Sequence, residues 1–236
     1  MEFTKAKAGR VFQEVIAQIE DAIVSGELKE GERLPPERDL TEMTGTSRGT
    51  VREALRVLEQ KGLVVIKTGT AGGAFVRSVS PQKVSESLAL LIRTQQVPMK
   101  DLAEFREGVE GKATSLAAKR ATRKDGERLT NLLREAREFL DKGEQGWADF
   151  IDIDNQIHMA IAEISRNQLY KLVLETVHDN ITLYYDRLLK KNMKVMKINY
   201  QDLQIIISAI VQKNPEEAQS GAEKHIKKFH RFMEEE

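Results

Sequence analysis

Residues 34–62 read Leu-Pro-Pro-Glu-Arg-Asp-Leu-Thr-Glu-Met-Thr-Gly-Thr-Ser-Arg-Gly-Thr-Val-Arg-Glu-Ala-Leu-Arg-Val-Leu-Glu-Gln-Lys-Gly. Pro36 suits the first turn of a helix over about Glu37–Met43, because its missing N–H has no partner to lose there. Gly45-Thr46 makes a turn, Thr46 or Ser47 caps the next helix, and Gly62 ends it. In that second helix Val51, Ala54, Leu55 and Leu58 form one apolar stripe, which leaves Arg48, Thr50 and Arg52 at the N-terminal end for another purpose. A helix entering the DNA major groove presents side chains from that end to bases and phosphates.

Working outward, Val11, Phe12, Val15, Ile16, Ile19, Ala22 and Ile23 have helical spacing over Val11–Ser25, stopped by Gly26. After Gly62, Leu63-Val64-Val65-Ile66 predicts a short strand. A turn rich in Gly and Thr follows over Lys67–Gly73, and Ala74-Phe75-Val76 returns as a second strand. Three helices and a two-stranded wing make a winged helix-turn-helix. Arg48 and Arg52 are four residues apart, on one face, and a guanidinium pairs bidentately with guanine or with phosphate. Thr50 offers a hydroxyl, and Gly49 removes a side chain where the helix would approach DNA. Arg38 opens the preceding helix near the backbone. The wing tip Thr68-Gly69-Thr70 is small enough for a minor groove, whereas Arg56 is equally a solvated flank.

Composition is compatible with this reading. Net charge is zero over 236 residues, but residues 43–77 carry six basic residues (Arg48, Arg52, Arg56, Lys61, Lys67, Arg77) against acidic Glu53 and Glu59, a local charge of +4. Phosphate contacts depend on that local excess. Cysteine is absent, which removes disulfides and thiolate metal sites and fits a reducing compartment. The N-terminus lacks a secretory pattern, and no apolar run approaches the roughly 20 residues of a membrane span. A soluble, cytoplasmic protein with no membrane partner is expected.

Beyond Ser80-Pro81 no convincing strand occurs. Seven helices are expected, over about 83–96, 99–121, 123–142, 146–164, 167–191, 194–213 and 215–235. Their short connections imply an antiparallel bundle. The fold class is thus mainly α, with a DNA-binding domain over residues 1–79 and an all-helical domain over 80–236. Asp154 and His158 form an i, i+4 pair on one helix face, and His225 lies in the last helix. A carboxylate and imidazoles converging from different helices are how bundles hold divalent metals. A solvated or mutually hydrogen-bonded pair is the alternative. Asn167 is expected to cap the next helix, and Tyr170, Tyr184 and Tyr185 to pack in the interior. No nucleophile motif, phosphate loop or general base accompanies the trio, so a metal-dependent hydrolase is not expected and the chain is read as a non-enzyme.

Leu34–Leu40, Ser47–Leu55 and Leu58–Leu63 resemble the DNA-binding domain of the GntR family of bacterial transcriptional regulators. The resemblance, over residues 11–77, implies that Arg38, Arg48, Thr50, Arg52 and Gly69 contact operator DNA. Gly49 departs from the hydroxyl side chain many relatives carry, and Thr68 sits at a variable polar wing position; both bear on base preference. Asp101–Glu110 and Ala117–Thr122 resemble the FCD-type ligand-binding domain of the FadR subfamily, so the resemblance covers nearly the whole chain.

It implies a homodimer on an inverted-repeat operator, acting as a repressor, and a small-molecule effector that is an organic acid or acyl thioester. In many such domains an Asp-x3-His pair and two later histidines hold a metal that helps bind the effector. Asp154, His158 and His225 match three of those positions, and spacing puts the fourth at Leu203, which cannot ligate. Three ligands still suffice for zinc or nickel if water or effector completes the shell; a metal-free pocket is the alternative. Arg106 is expected to meet the effector carboxylate, or else Glu107, Glu110 or Asp154. His178 and His230 lack the expected spacing and are read as surface or pocket lining.

Overall fold

The computed structural model describes residues 9–69, 72–78, 81–188 and 191–234, with side chains from residue 11 and excluding those of 182–188 and 234. Thr70 of the expected wing tip, the side chains of Tyr184 and Tyr185, and Glu235 and Glu236 lie outside the described residues. The chain divides into two compact units, Met1–Ser80 and Pro81–Glu236.

In the first unit α1 (Gly9–Val24), α2 (Glu37–Thr44) and α3 (Arg48–Lys61) precede an antiparallel pair, β1 (Val64–Lys67) and β2 (Gly73–Val76). Val15, Ile16 and Ile19 of α1 meet Leu40, Val51, Ala54, Leu55 and Leu58 in one core closed by Val64, Ala74 and Val76. Gly45 (φ 63°) and Gly62 (φ 78°) end α2 and α3 in the left-handed conformation, where a side chain costs roughly 1 kcal/mol. The wing is tied back to α3: the Ile66 N–H donates to Glu59 Oε1 at 2.8 Å. Arg33, pairing with Phe75, adds a single bridge to the sheet beyond the two expected strands.

The second unit is helical throughout its described residues: α4 (Gln82–Arg93), α5 (Met99–Arg120), α6 (Arg123–Asp141), α7 (Trp147–Ile164), α8 (Gln168–Leu188), α9 (Met193–Val211) and α10 (Pro215–Glu234), with a 3-10 turn at Gly143–Gly146. The seven expected helices are present. The first is shorter than its spacing suggested, because the chain turns left-handed at Gln95 (φ 56°) before Pro98 is reached. Arg166 and Lys213 end α7 and α9 in the same conformation. Asn167 caps α8, its Oδ1 accepting from the N–H groups of Leu169 (3.0 Å) and Tyr170 (3.2 Å).

One pole of this bundle is laced by basic side chains. Arg120 donates to the Ser165 carbonyl at the end of α7, Lys213 to the Ala121 carbonyl at the end of α5, and Arg166 to Asp125 Oδ2 at the start of α6. Cations at helix C-termini offset the partial negative charge of the last carbonyls. From that pole α10 packs along α5 and α9, and part-way along them the apolar core gives way to a patch of charge described below. Leu58 is wholly buried in the first unit, so Leu58→Ala is expected to cost about 2–5 kcal/mol, read as a fall in the urea midpoint followed by circular dichroism.

Candidate functional site

Two regions carry chemistry, one in each unit. On α3, Ser47 is the cap: its Oγ accepts from the Thr50 N–H at 3.1 Å and lies 2.9 Å from Thr50 Oγ1. The cap orients the first turn so that Arg48, Gly49 and Arg52 are exposed. Arg52 pairs with Glu37 Oε2 at 3.2 Å, and Arg38 lies 3.7 Å from Asp39 and from Glu42. All are surface ion pairs, worth about 0–1 kcal/mol, which a phosphate can displace. A Cβ on Gly49 would meet only Ser47 Oγ at 3.6 Å, so nothing inside the unit requires glycine there. Thr68 and Gly69 are exposed at the wing, with Gly69 left-handed at φ 101°.

In the helical unit five helices deliver charged or imidazole groups to one buried place. Arg106 and Glu110 come from α5, Asp154 and His158 from α7, His178 from α8, Asp202 from α9 and His225 from α10; all are buried. The i, i+4 spacing puts Arg106 over Glu110, with Nε donating to Oε1 at 2.7 Å. His158 stands between the groups. Its Nδ1 lies 2.6 Å from Glu110 Oε2, while its Nε2 lies 3.8 Å from Asp154 Oδ1 and 3.2 Å from His225 Nε2. His178 Nε2 is 3.2 Å from Glu110 Oε1. Asp202 has Oδ1 2.6 Å from Lys228 Nζ and Oδ2 3.7 Å from His225 Nδ1.

Electrostatics follow from this packing. Burial works against the charge of Glu110, but Arg106, His158 and His178 outweigh it and hold the carboxyl well below its ordinary range. Burial also opposes a charged His158, and Glu110 with Asp154 overcomes that, raising its pKa. His178 is different: burial prevails over Glu110 and brings it down to about 4, so it is neutral near pH 7. Asp202 is lowered against its burial by the neighbouring His225 and by the Lys228 ammonium that donates to it.

The trio expected from sequence does come together: single ligand atoms of Asp154, His158 and His225 lie within 4.8 Å of one another. Ligands about 2.0–2.1 Å from a tetrahedral zinc are themselves roughly 3.3 Å apart, and the 3.2 and 3.8 Å separations bracket that value. Asp154 Oδ1 is buried with no hydrogen-bond partner, as are Glu110 Oε2 and Asp202 Oδ2, and an ion held by the trio would satisfy it. The donor set therefore fits a divalent ion with positions left open. Glu110, His158 and His178 are equally close together, but a dication there would face the Arg106 guanidinium, so that set is the poorer seat.

Three features differ from the spacing argument. Leu203 is wholly buried in the apolar core with Met196, Ile206 and Ile207; the residue that α9 brings to the histidines is Asp202, one position and about 100° of helical turn earlier. His178, read as surface or pocket lining, is an interior member of the cluster. Arg106 takes Glu110 as partner, the structural alternative weighed for it. Glu110 had appeared only as that counter-ion, and its place beside two histidines 48 and 68 positions away could not be read from a local pattern.

Two family models match the chain: "Bacterial regulatory proteins, gntR family" over residues 12–76 and "FCD domain" over residues 101–228. The sequence is 31% identical over 213 residues to the HTH-type transcriptional regulator LutR of Bacillus subtilis (strain 168), covering 86% of this chain and 92% of that one. It is 29% identical over 220 residues to the Glc operon transcriptional activator of Escherichia coli (strain K12), covering 91% and 85% respectively. Among solved structures, Streptococcus agalactiae GntR shares the fold with a TM-score of 0.60 at 24% identity, over 93% of this chain and 99% of that one.

Removing the guanidinium would leave Glu110 charged, buried and deprived of its largest cationic neighbour. Arg106→Leu is accordingly expected to cost about 3–5 kcal/mol of stability, measured by urea unfolding of the metal-free protein.

Proposed function

Since the chain belongs to the gntR family of bacterial regulatory proteins and carries an FCD domain, we propose that it is a homodimeric repressor whose hold on operator DNA is set by a small carboxylate metabolite in the helical unit. That it is a transcriptional regulator and not an enzyme follows from the family itself. The DNA-reading surface is α3 with Arg48, Gly49, Thr50 and Arg52, assisted by Arg38 and by Thr68 and Gly69 of the wing. Ser47 sets the start of the helix. A symmetric dimer places two such helices on the halves of an inverted repeat. Repression is the simpler sense, since a dimer seated on a promoter excludes other proteins from it.

The observation that carries the effector reading is the buried Asp154–His158–His225 trio with its unpartnered carboxylate oxygen. These three residues would hold a zinc or nickel ion, which supplies Lewis-acid positions for an oxygen of the effector. Asp154 contributes one negative charge, so the occupied site retains a positive charge for a carboxylate to meet. Arg106 lies beyond Glu110 and offsets its charge, so that carboxylate does not oppose the effector. The enclosure of these groups favours a small organic acid over a bulky acyl thioester. A constitutive, ligand-free DNA binder would be expected to fill its bundle with apolar side chains, which this one does not. Effector binding then shifts the population between dimer geometries that space the two recognition helices differently. The site of action is the cytoplasm, where the operator lies. No described helix is long and apolar enough to cross a membrane.

Operator duplexes selected from a random pool provide the test. In fluorescence anisotropy, Arg48→Ala and Arg52→Ala should each weaken specific binding by about 1–3 kcal/mol if they read bases, or lower the salt slope by about 1 if they hold phosphate. Unchanged binding in both variants would remove α3 as the recognition helix. Gly49→Ala separates stability from recognition: it should raise stability by roughly 0.5–1 kcal/mol while lowering operator affinity. Metal analysis of the purified protein should find about one divalent ion per chain, lost in His158→Ala.

A further inference from the structure

Each histidine of the trio has its two ring nitrogens turned to different kinds of partner. The Nε2 atoms of His158 and His225 face each other at 3.2 Å. On the opposite side, His158 Nδ1 lies 2.6 Å from Glu110 Oε2 and His225 Nδ1 lies 3.7 Å from Asp202 Oδ2, and both oxygens are buried without a hydrogen-bond partner. We propose that Glu110 and Asp202 are positioning residues that keep the proton of each imidazole on Nδ1 and so present both Nε2 lone pairs to the ion. The proposal rests on the metal reading of the trio and says what holds that trio in a competent state.

The chemistry demands such partners. A neutral imidazole carries one proton, and only the nitrogen without it ligates a metal; the hydrogen-bond partner of the other nitrogen decides which that is. Without a carboxylate on the Nδ1 side, His158 could equally keep its proton on Nε2 and give it to His225. Both carboxylates are themselves fixed from behind by a cation. Arg106 Nε donates to Glu110 Oε1 at 2.7 Å, and Lys228 Nζ donates to Asp202 Oδ1 at 2.6 Å. Neither carboxylate is then a stray negative charge near the ion, and Asp154 is left as the one formally anionic ligand of the trio. That arrangement leaves the loaded site at +1, suited to a monocarboxylate.

The two relays are unequal. Glu110 is deeply buried and in close contact with its imidazole, whereas Asp202 Oδ2 stands 3.7 Å from His225 Nδ1, beyond hydrogen-bond distance, and beside a Lys228 side chain that is 46% exposed. Glu110 should therefore matter more.

Zinc affinity of the full chain, measured by competition with a chromophoric chelator, tests this directly. Glu110→Gln should bind zinc about 10–100-fold more weakly than the unaltered protein and Asp202→Asn less severely affected, each still taking one ion per chain. Thermal melts of the metal-free variants check folding, and Glu110→Asp serves if the glutamine variant does not fold. Long-range 15N–1H spectra give the second readout: both histidines of the zinc-loaded protein should carry hydrogen on Nδ1 and bind through Nε2. If the unaltered protein takes up no zinc, the metal reading falls and this proposal with it. If it binds zinc and His158→Ala does not, yet Glu110→Gln and Asp202→Asn match the unaltered affinity within about twofold or the ions sit on Nδ1, the positioning role alone is overturned.

Discussion

A carboxylate withdrawn from water must find its compensating charge within the protein. Glu110 meets that requirement through the Arg106 guanidinium one turn earlier on α5 and the His158 imidazole on α7, while the neutral His178 of α8 stands at hydrogen-bond distance from it. Satisfying it fixes the rotation of three helices at once, because each must present one particular face. Asp202 and Lys228 impose a similar condition on α9 and α10. The apolar layers around the cluster supply the bulk of the burial energy, but they tolerate rotation better than these directed contacts do. The polar patch therefore sets the register of the bundle as well as its chemistry.

The DNA-reading unit is governed by the opposite balance. Its arginines are held by exposed carboxylates in high dielectric, where each pair contributes little. Exchange of Glu37 for a phosphate oxygen at Arg52 accordingly costs little, and the rigid part of the unit is the apolar stripe beneath. Ser47 links the two demands, since its hydroxyl satisfies the N-terminus of α3 and thereby aims the first turn outward.

Much of this was legible in the sequence because it is local. Helix caps, the Gly45 and Gly62 stops, the stripe of Val51, Ala54, Leu55 and Leu58, and the i, i+4 pairing of Asp154 with His158 are all set within a few residues. What escaped was set by contacts between helices. Whether residue 202 or 203 faces the histidines depends on a phase of about 100°, which spacing along the chain does not resolve. His178 carried no motif, and its meaning comes only from Glu110 on another helix. The distinction between a group that touches an ion and one that orients such a group is likewise invisible without distances.

The laced pole of the bundle has a mechanical consequence. Arg120, Lys213 and Arg166 bind the ends of α5, α7 and α9 and the start of α6 to one another, so any tilt of these helices would pivot about that end. The buried charges lie part-way along the helices from it. α5, with 22 residues, is about 33 Å long at 1.5 Å rise per residue. A tilt of about 5° about that pivot would sweep its far end through roughly 3 Å. Glu110 stands near the middle of α5, so a shift of about 1.5 Å there would be roughly doubled at the far end of the helix.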